Sequence, residues 1–299
     1  MIAVKEILSR ELISSKLKDY VQLMKIRLTS TVILSSAFGY LIGISATPYT
    51  FDATVFIALL VGGFLVVSSS NGLNQVIEKD YDKLMKRTEN RPVATGRMKV
   101  SEAVIFCTIS GLLGVLILGW YLNQLSAWLG LFALISYAFL YTPLKRVSPI
   151  AVLVGAFPGA VAPLLGWVAA TGSYSMGGGL LFAIQFFWQF PHFWAIAWVL
   201  HEDYKRAGYM LLPSKGGKDV RSGLQTVVYT VIVFIVSLTP ILTGMISIWS
   251  LLVLIPVNVY FLMKSLKLFK SLNEADAKAL MFASFIYLPV VQLAILLFS

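Results

Sequence analysis

Six stretches free of Asp, Glu, Lys and Arg dominate the chain: 28–51, 53–77, 103–144, 147–201, 222–263 and 279–299. A bilayer core takes about 20 apolar residues per helix, so the first, second and last stretches predict one span each and the three longer ones two each. The nine spans lie at about 28–46, 53–76, 102–121, 126–143, 150–169, 180–200, 223–242, 246–263 and 279–298. Polar residues are missing from the outer faces that helices of a large soluble core would turn to water. The alternation of an outer-membrane barrel strand is missing too. An all-α polytopic membrane protein is the fold class this pattern supports.

Composition agrees: of 299 residues, 58% are hydrophobic and 13% charged, about half the usual charged share. Cys107 is the single cysteine, which excludes an intrachain disulfide and a paired-cysteine metal site. Residues 1–27 carry nine charged residues from Lys5 to Arg27 and no early apolar core, so they read as a cytoplasmic or interfacial segment preceding the membrane domain at 28–299, not as a cleavable signal.

The net charge of +10 invites a nucleic-acid reading until the basic residues are placed. Six precede span one, seven lie between spans two and three, two follow span four, five separate six from seven, and four separate eight from nine, which accounts for all 24. Asp52 is the sole charged residue of the opposite loops. Short loops rich in Lys and Arg stay cytoplasmic, which predicts an inner N-terminus and an outer C-terminus. Anionic lipid headgroups then explain most of the lysines, and no nucleic-acid partner is expected. SKGGK at 214–218 lacks the spacing and the strand-to-helix setting of a nucleotide-binding loop.

Candidate chemistry begins where span two ends. Asn74, Glu78 and Asp82 recur every four residues, which confines them to about 80 degrees of one helix face over about 12 Å. Each offers a hard oxygen of the kind magnesium accepts, and magnesium commonly completes its shell with phosphate oxygens. Lys83, Lys86, Arg87, Arg91, Arg97 and Lys99 follow directly. From spacing alone a topogenic cluster, a metal–phosphate site and an ion gate all stay open. Glu202 and Asp203 form a second acidic pair on the same side, followed by Lys205 and Arg206. The two acidic clusters could face one cavity, with basic residues holding a pyrophosphate between them.

His192 stands in the apolar stretch FFWQFPHFWAIAW at 186–198. It lies eleven residues before Asp203, about 16 Å along a continuous helix, so both could see one cavity. Packing, iron ligation, proton transfer and substrate orientation are open roles for it. Trp188, Phe193, Trp194 and Trp198 suit a flat ring, an isoprenoid chain or plain packing. Gln185 and Gln189 need partners at this depth. Pro158, Gly159, Pro163 and Gly166 permit a bent span five or close helix packing.

Several motifs together carry a more specific likeness: NQVIEKDYDKLMKRTENRPVATGR at 74–97, YTPLKR at 141–146, WQFPHF at 188–193, DYKRAG at 203–208 and MLLP at 210–213. Over roughly 20–298 the chain resembles the haem farnesyltransferases, or haem O synthases, of the intramembrane polyprenyltransferase superfamily. That resemblance implies nine helices around a central cavity open to the cytoplasmic side, and transfer of the farnesyl group of farnesyl diphosphate to a vinyl group of haem B with addition of water. Haem B is a substrate, magnesium the cofactor, and the setting a bacterial plasma membrane.

By resemblance, Asn74, Glu78 and Asp82 form the first metal–diphosphate motif, with Glu78 where relatives often carry Asp. Asp203 joins as a ligand, although Ala207 replaces the second acid of the usual DxxxD and Glu202 is a substitute. Lys83, Arg87, Arg91, Lys145, Arg146 and Arg206 are the diphosphate clamp. Trp188, Gln189 and His192 serve the haem, His192 by contacting iron or by orienting the porphyrin. Association with a haem A-forming enzyme is expected. A quinone-precursor prenyltransferase, a secondary transporter and a passive assembly scaffold are the competing readings.

Overall fold

The computed structural model describes residues 15–299. An unpaired backbone N–H or C=O in hydrocarbon costs several kcal/mol, so each apolar run must satisfy its own backbone as helix. Among the described residues, nine helices are long and apolar enough to cross a membrane.

A helical segment over 15–24, α1, leads into α2 (Ile26–Ser45), α3 (Ala53–Ile77), the short α4 (Lys79–Asp82), α5 (Val100–Ile117), α6 (Gln124–Ile135) and the single turn α7 (Thr142–Leu144). Then follow α8 (Ala151–Thr171), α9 (Met176–Val199), α10 (His201–Arg206), α11 (Val220–Leu242), α12 (Leu251–Ser271) and α13 (Glu274–Phe298). The expected terminal segment over 1–27 lies outside the described residues up to position 14; from 15 it is helical except at Lys25.

Starts of the spans are fixed by polar caps. Asp52 Oδ1 accepts from the Thr54 and Val55 amides, Asn123 Oδ1 from Ser126, Asp219 Oδ1 from Ser222 and Asn273 Oδ1 from Asp276. Such caps satisfy N–H groups that a helix cannot pair internally.

Helix α8 is the most buried of the nine spans, and it owes that position to small residues. A Cβ on Gly39 would stand 2.0 Å from Pro163 O, and one on Gly166 would stand 2.0 Å from Ser36 O. Backbone therefore meets backbone along the α2–α8 seam, the close approach that small residues allow in membranes. Of the two roles open to Gly166, packing is the one observed.

Some elements depart from the periodic expectation. The helix through 74–82 is not continuous: α3 ends at Ile77 and Glu78 takes φ −91, ψ 4. Two bonds bridge the break, Glu78 N to Asn74 O at 3.0 Å and Asp82 N to Glu78 O at 2.8 Å, so the three side chains stay stacked. Leu200 breaks α9 from α10 in the same way, at φ −97, ψ 18, and bonds from Leu200 N to Ile196 O at 2.9 Å and Tyr204 N to Leu200 O at 3.0 Å bridge it likewise. Helices α5 and α6 end in π-helical turns at Leu118–Leu122 and Ser136–Tyr141. In the second, the Ser136 and Thr142 hydroxyls donate to Phe132 O and Tyr137 O, which widens the turn. Helix α12 runs past its apolar stretch and carries Lys264, Lys267 and Lys270 on its last turns.

The two ends of the bundle differ. Ser45 and Ser247 bond Ser299 O and Phe298 O respectively, which gathers the C-terminus with the nearly uncharged loops. Lys25, Glu78 and Lys145 meet at the other end.

Candidate active site

Position 25 is where a lysine enters the site. Lys25 separates α1 from α2 in the left-handed region at φ 50, a conformation that costs a non-glycine residue free energy and tends to persist where neighbours over-determine it. Its ammonium donates to Asn74 Oδ1 at 3.0 Å. Asn74 Nδ2 in turn donates to Glu78 Oε2 at 2.9 Å and Thr142 Oγ1 at 3.1 Å. The Lys145 ammonium, held 4.9 Å over the Tyr141 ring and 5.3 Å from the Tyr209 ring centre, pairs with Glu78. Asp82, fully buried, accepts from Arg91 through both oxygens at 2.8 and 2.7 Å.

Electrostatics follow from this packing. Burial raises the Glu78 carboxyl, but Lys145, helped by Lys25 and Arg91, outweighs it and holds the group below its usual range. Asp82 goes the other way: burial raises it and Arg91 offsets only part of that. Burial, then the charges of Arg91 and Lys145, push the Lys25 ammonium well below its ordinary value. Three cations therefore confront two carboxylates in one partly dehydrated basin. An arriving anion relieves the repulsion among them.

The second polar segment reaches this basin through its loop. Met210 N bonds Lys145 O at 2.9 Å and Tyr209 N bonds Tyr204 O at 2.8 Å. The Tyr209 hydroxyl, raised by burial and then by Glu78, lies beside that carboxylate. Asp203 itself is paired with Arg206 on α10, and Glu202 is exposed.

Among the described residues, no three His, Cys, Asp or Glu side chains gather as a metal-binding group. Asn74, Glu78 and Asp82 do stack as hard oxygen donors that suit magnesium, with each carboxylate held by a cation. Lys83, expected in the clamp, lies outside the basin: exposed, it pairs with Asp80 at 3.1 Å. One residue beyond Asp82 on a helix is a turn of about 100 degrees, enough to send it outward. Arg146 covers the Tyr81 ring at 3.9 Å. Arg87 is exposed, though its charge acts on Lys25.

Next to the basin lies a mostly apolar cavity of about 280 Å³ between α2, α3, α6, α8, α9 and α13. Asn71 and Tyr141 line it, one turn from Asn74 and from Lys145 respectively, so the two spaces adjoin. The π turn puts Tyr137 and Tyr141 on this wall with ring centres 5.2 Å apart. Opposite stand Trp188, Gln189 and His192. Gln189 Nε2 donates to Ala156 O at 2.9 Å and to Gln185 O at 3.1 Å. His192 stacks on Trp188 with ring centres 4.5 Å apart.

Lys25, Thr142, Tyr209 and Ser284 were not among the expected site residues. Lys25 had a signal, as the last lysine before the first charge-free run. Ser284 had none, since only the tertiary fold brings it to His192 Nδ1, at 2.7 Å.

The UbiA prenyltransferase family model matches residues 32–288. Protoheme IX farnesyltransferase of Cytophaga hutchinsonii is 44% identical over 284 residues, covering 95% of this chain and 98% of its own. The enzyme of that name from Flavobacterium johnsoniae is 41% identical over 297 residues, with 98% and 97% covered. Among solved structures, one from work on digeranylgeranylglyceryl phosphate synthase superposes with a TM-score of 0.79 at 22% identity, covering 95% of this chain and 98% of that one. A UbiA homologue from Archaeoglobus fulgidus bound to GPP and Mg2+ superposes at 0.67 with 16% identity, covering 93% and 99%. Both support the fold.

Proposed function

The chain belongs to the UbiA prenyltransferase family, and we propose that it transfers the farnesyl group of farnesyl diphosphate to a vinyl group of haem B, giving haem O and diphosphate with uptake of water. The observation that carries this reading is the junction of a cation-rich, carboxylate-bearing basin with an apolar cavity that holds an unpaired imidazole nitrogen. Curated relatives more than 40% identical over nearly the full chain carry the farnesyltransferase name.

Lys25, Lys145 and Arg91 receive the diphosphate oxygens, with Arg87, Arg146 and Arg206 at the rim. Asn74, Glu78 and Asp82, with Asp203 once Arg206 turns to the diphosphate, would hold magnesium, which would supply Lewis-acid charge against the developing leaving group. The farnesyl chain runs from the basin past Tyr141 and Tyr137 into the cavity. Its C1–O bond breaks with the electron pair leaving on diphosphate, and the vinyl π pair forms the new C–C bond. Charge then rests on the carbon beside the pyrrole, where water adds and releases a proton. The apolar wall keeps bulk water from the allylic carbon before the vinyl reaches it.

The basin faces the cytoplasm, because all 24 basic residues fall before span one or in loops at its end of the chain's path. The protein is thus a multi-pass protein of the bacterial plasma membrane with its C-terminus outside, drawing both substrates from the inner leaflet. Handover of haem O to a haem A-forming enzyme is the matching partner proposal.

Purified protein given haem B and farnesyl diphosphate should form haem O by mass, and lose that product without magnesium. Prenylation of a quinone precursor in its place would overturn the assignment. Lys145→Met should raise the KM for farnesyl diphosphate by about tenfold or more, since a charge-assisted bond to the ligand is lost. Lys83→Met should leave it within about twofold, as expected for an exposed pair. Equal effects of the two would remove Lys145 from the clamp.

A further inference from the structure

Two hydrogen bonds at one serine decide what His192 can do. Ser284, fully buried on α13, donates its hydroxyl proton to Met281 O at 2.6 Å. Its Oγ also lies 2.7 Å from His192 Nδ1. A hydroxyl has one proton. Turning it to the imidazole would leave two bare oxygens 2.6 Å apart, so Oγ is the acceptor and Nδ1 carries the hydrogen. In the neutral ring Nε2 then holds a lone pair. It has no hydrogen-bond partner among the described residues, and His192 lines the cavity.

The same residue also sets the ring's plane. Ser284 O accepts from Trp188 Nε1 at 3.0 Å, Trp188 stacks on the imidazole at an interplanar angle of 16°, and Phe285 meets it edge-on at 5.0 Å. None of the described residues lining the cavity is charged. A neutral Nε2 without hydrogen cannot donate to a propionate; it offers a lone pair. Iron is a Lewis acid that takes such a lone pair.

We propose that Ser284 is a positioning residue that locks His192 in the Nδ1–H form, so that Nε2 serves as an axial ligand to the iron of the porphyrin substrate. This rests on the haem reading above and adds to it the ligating atom and its support. Support of this kind, in which the distal N–H of a ligating imidazole is held, typically changes metal affinity by about 10- to 100-fold.

The test is haem B titration of detergent-purified full-length protein, followed by its absorption spectrum, with haem O formation measured on the same samples. Wild type should show imidazole-ligated haem and His192→Ala should lose that signature. Ser284→Ala should bind haem about tenfold or more weakly with a shifted Soret band. Ser284→Cys, of similar size but a weaker acceptor, should fall between, and it stands in if the alanine variant does not fold. Wild-type affinity and spectrum in both serine variants would overturn the role of Ser284. An unchanged spectrum in His192→Ala would overturn ligation itself. Failure of the wild type to make haem O would instead strike the underlying reading, because haem binding is scored separately from turnover.

Discussion

Glu78→Gln and Asp82→Asn are each expected to lower haem O formation by about 10²- to 10³-fold or more, while folded protein remains in the membrane. Each change removes one unit of the charge that pairs with a buried cation, and one hard oxygen from the set that would hold magnesium. The amides are isosteric, so the Asn74 contact and the local turn survive. Loss of activity could still come from Arg91 or Lys145 left buried and unpaired. Asp82→Asn combined with Arg91→Gln separates these causes, because it restores charge balance without restoring the carboxylate. If the double variant recovers turnover, Asp82 is a structural partner of Arg91 and its place in the metal set is lost. If it folds as wild type and stays inactive, an unpaired buried Arg91 is excluded as the cause and the loss lies in the site itself, in the Asp82 carboxylate or the Arg91 hold on diphosphate.

Much of this basin was legible in the sequence because its core is local. Four-residue spacing put Asn74, Glu78 and Asp82 on one face, and the hydrogen bonds across Glu78 keep them there although the helix breaks. The spans were legible for a related reason: in hydrocarbon an apolar run has one way to satisfy its backbone, and a charge-free stretch marks it. What local spacing could not supply was the pairing of distant segments. Lys25 comes to Asn74 over 49 residues of chain, Lys145 to Glu78 from the far side of two spans, and Ser284 to His192 over 92. Lys83 shows the converse: adjacency to Asp82 in sequence suggested a shared site, and one step around the helix put it with Asp80 at the surface. The π turn at Ser136–Tyr141 left no periodic signature either, since it depends on where two hydroxyls find carbonyls.

Glycine substitutions on α8 and the face of α2 packed against it should divide into two outcomes, and the division tests whether the cavity wall and the helix seam are separate. In Gly166→Ala the new methyl meets Ser36 O at 2.0 Å and Tyr40 N at 2.6 Å. Both are backbone atoms of α2, so the helices must part, at a cost of about 3 kcal/mol or more. Gly39→Ala meets Pro163 O at 2.0 Å and should cost as much. In Gly159→Ala the methyl meets Gln189 Oε1 at 1.9 Å, the far end of a side chain that can turn aside. That should cost about 1–2 kcal/mol for the two hydrogen bonds Gln189 Nε2 makes to Ala156 O and Gln185 O and move an amide on the same wall as His192. Thermal unfolding in detergent should therefore drop sharply for Gly39→Ala and Gly166→Ala and little for Gly159→Ala. Turnover of folded Gly159→Ala should show a raised KM for haem B with the KM for farnesyl diphosphate nearly unchanged. Equal stability losses at all three positions would mean that Gly159 belongs to the packing seam and that Gln189 has no independent hold on the acceptor side of the cavity.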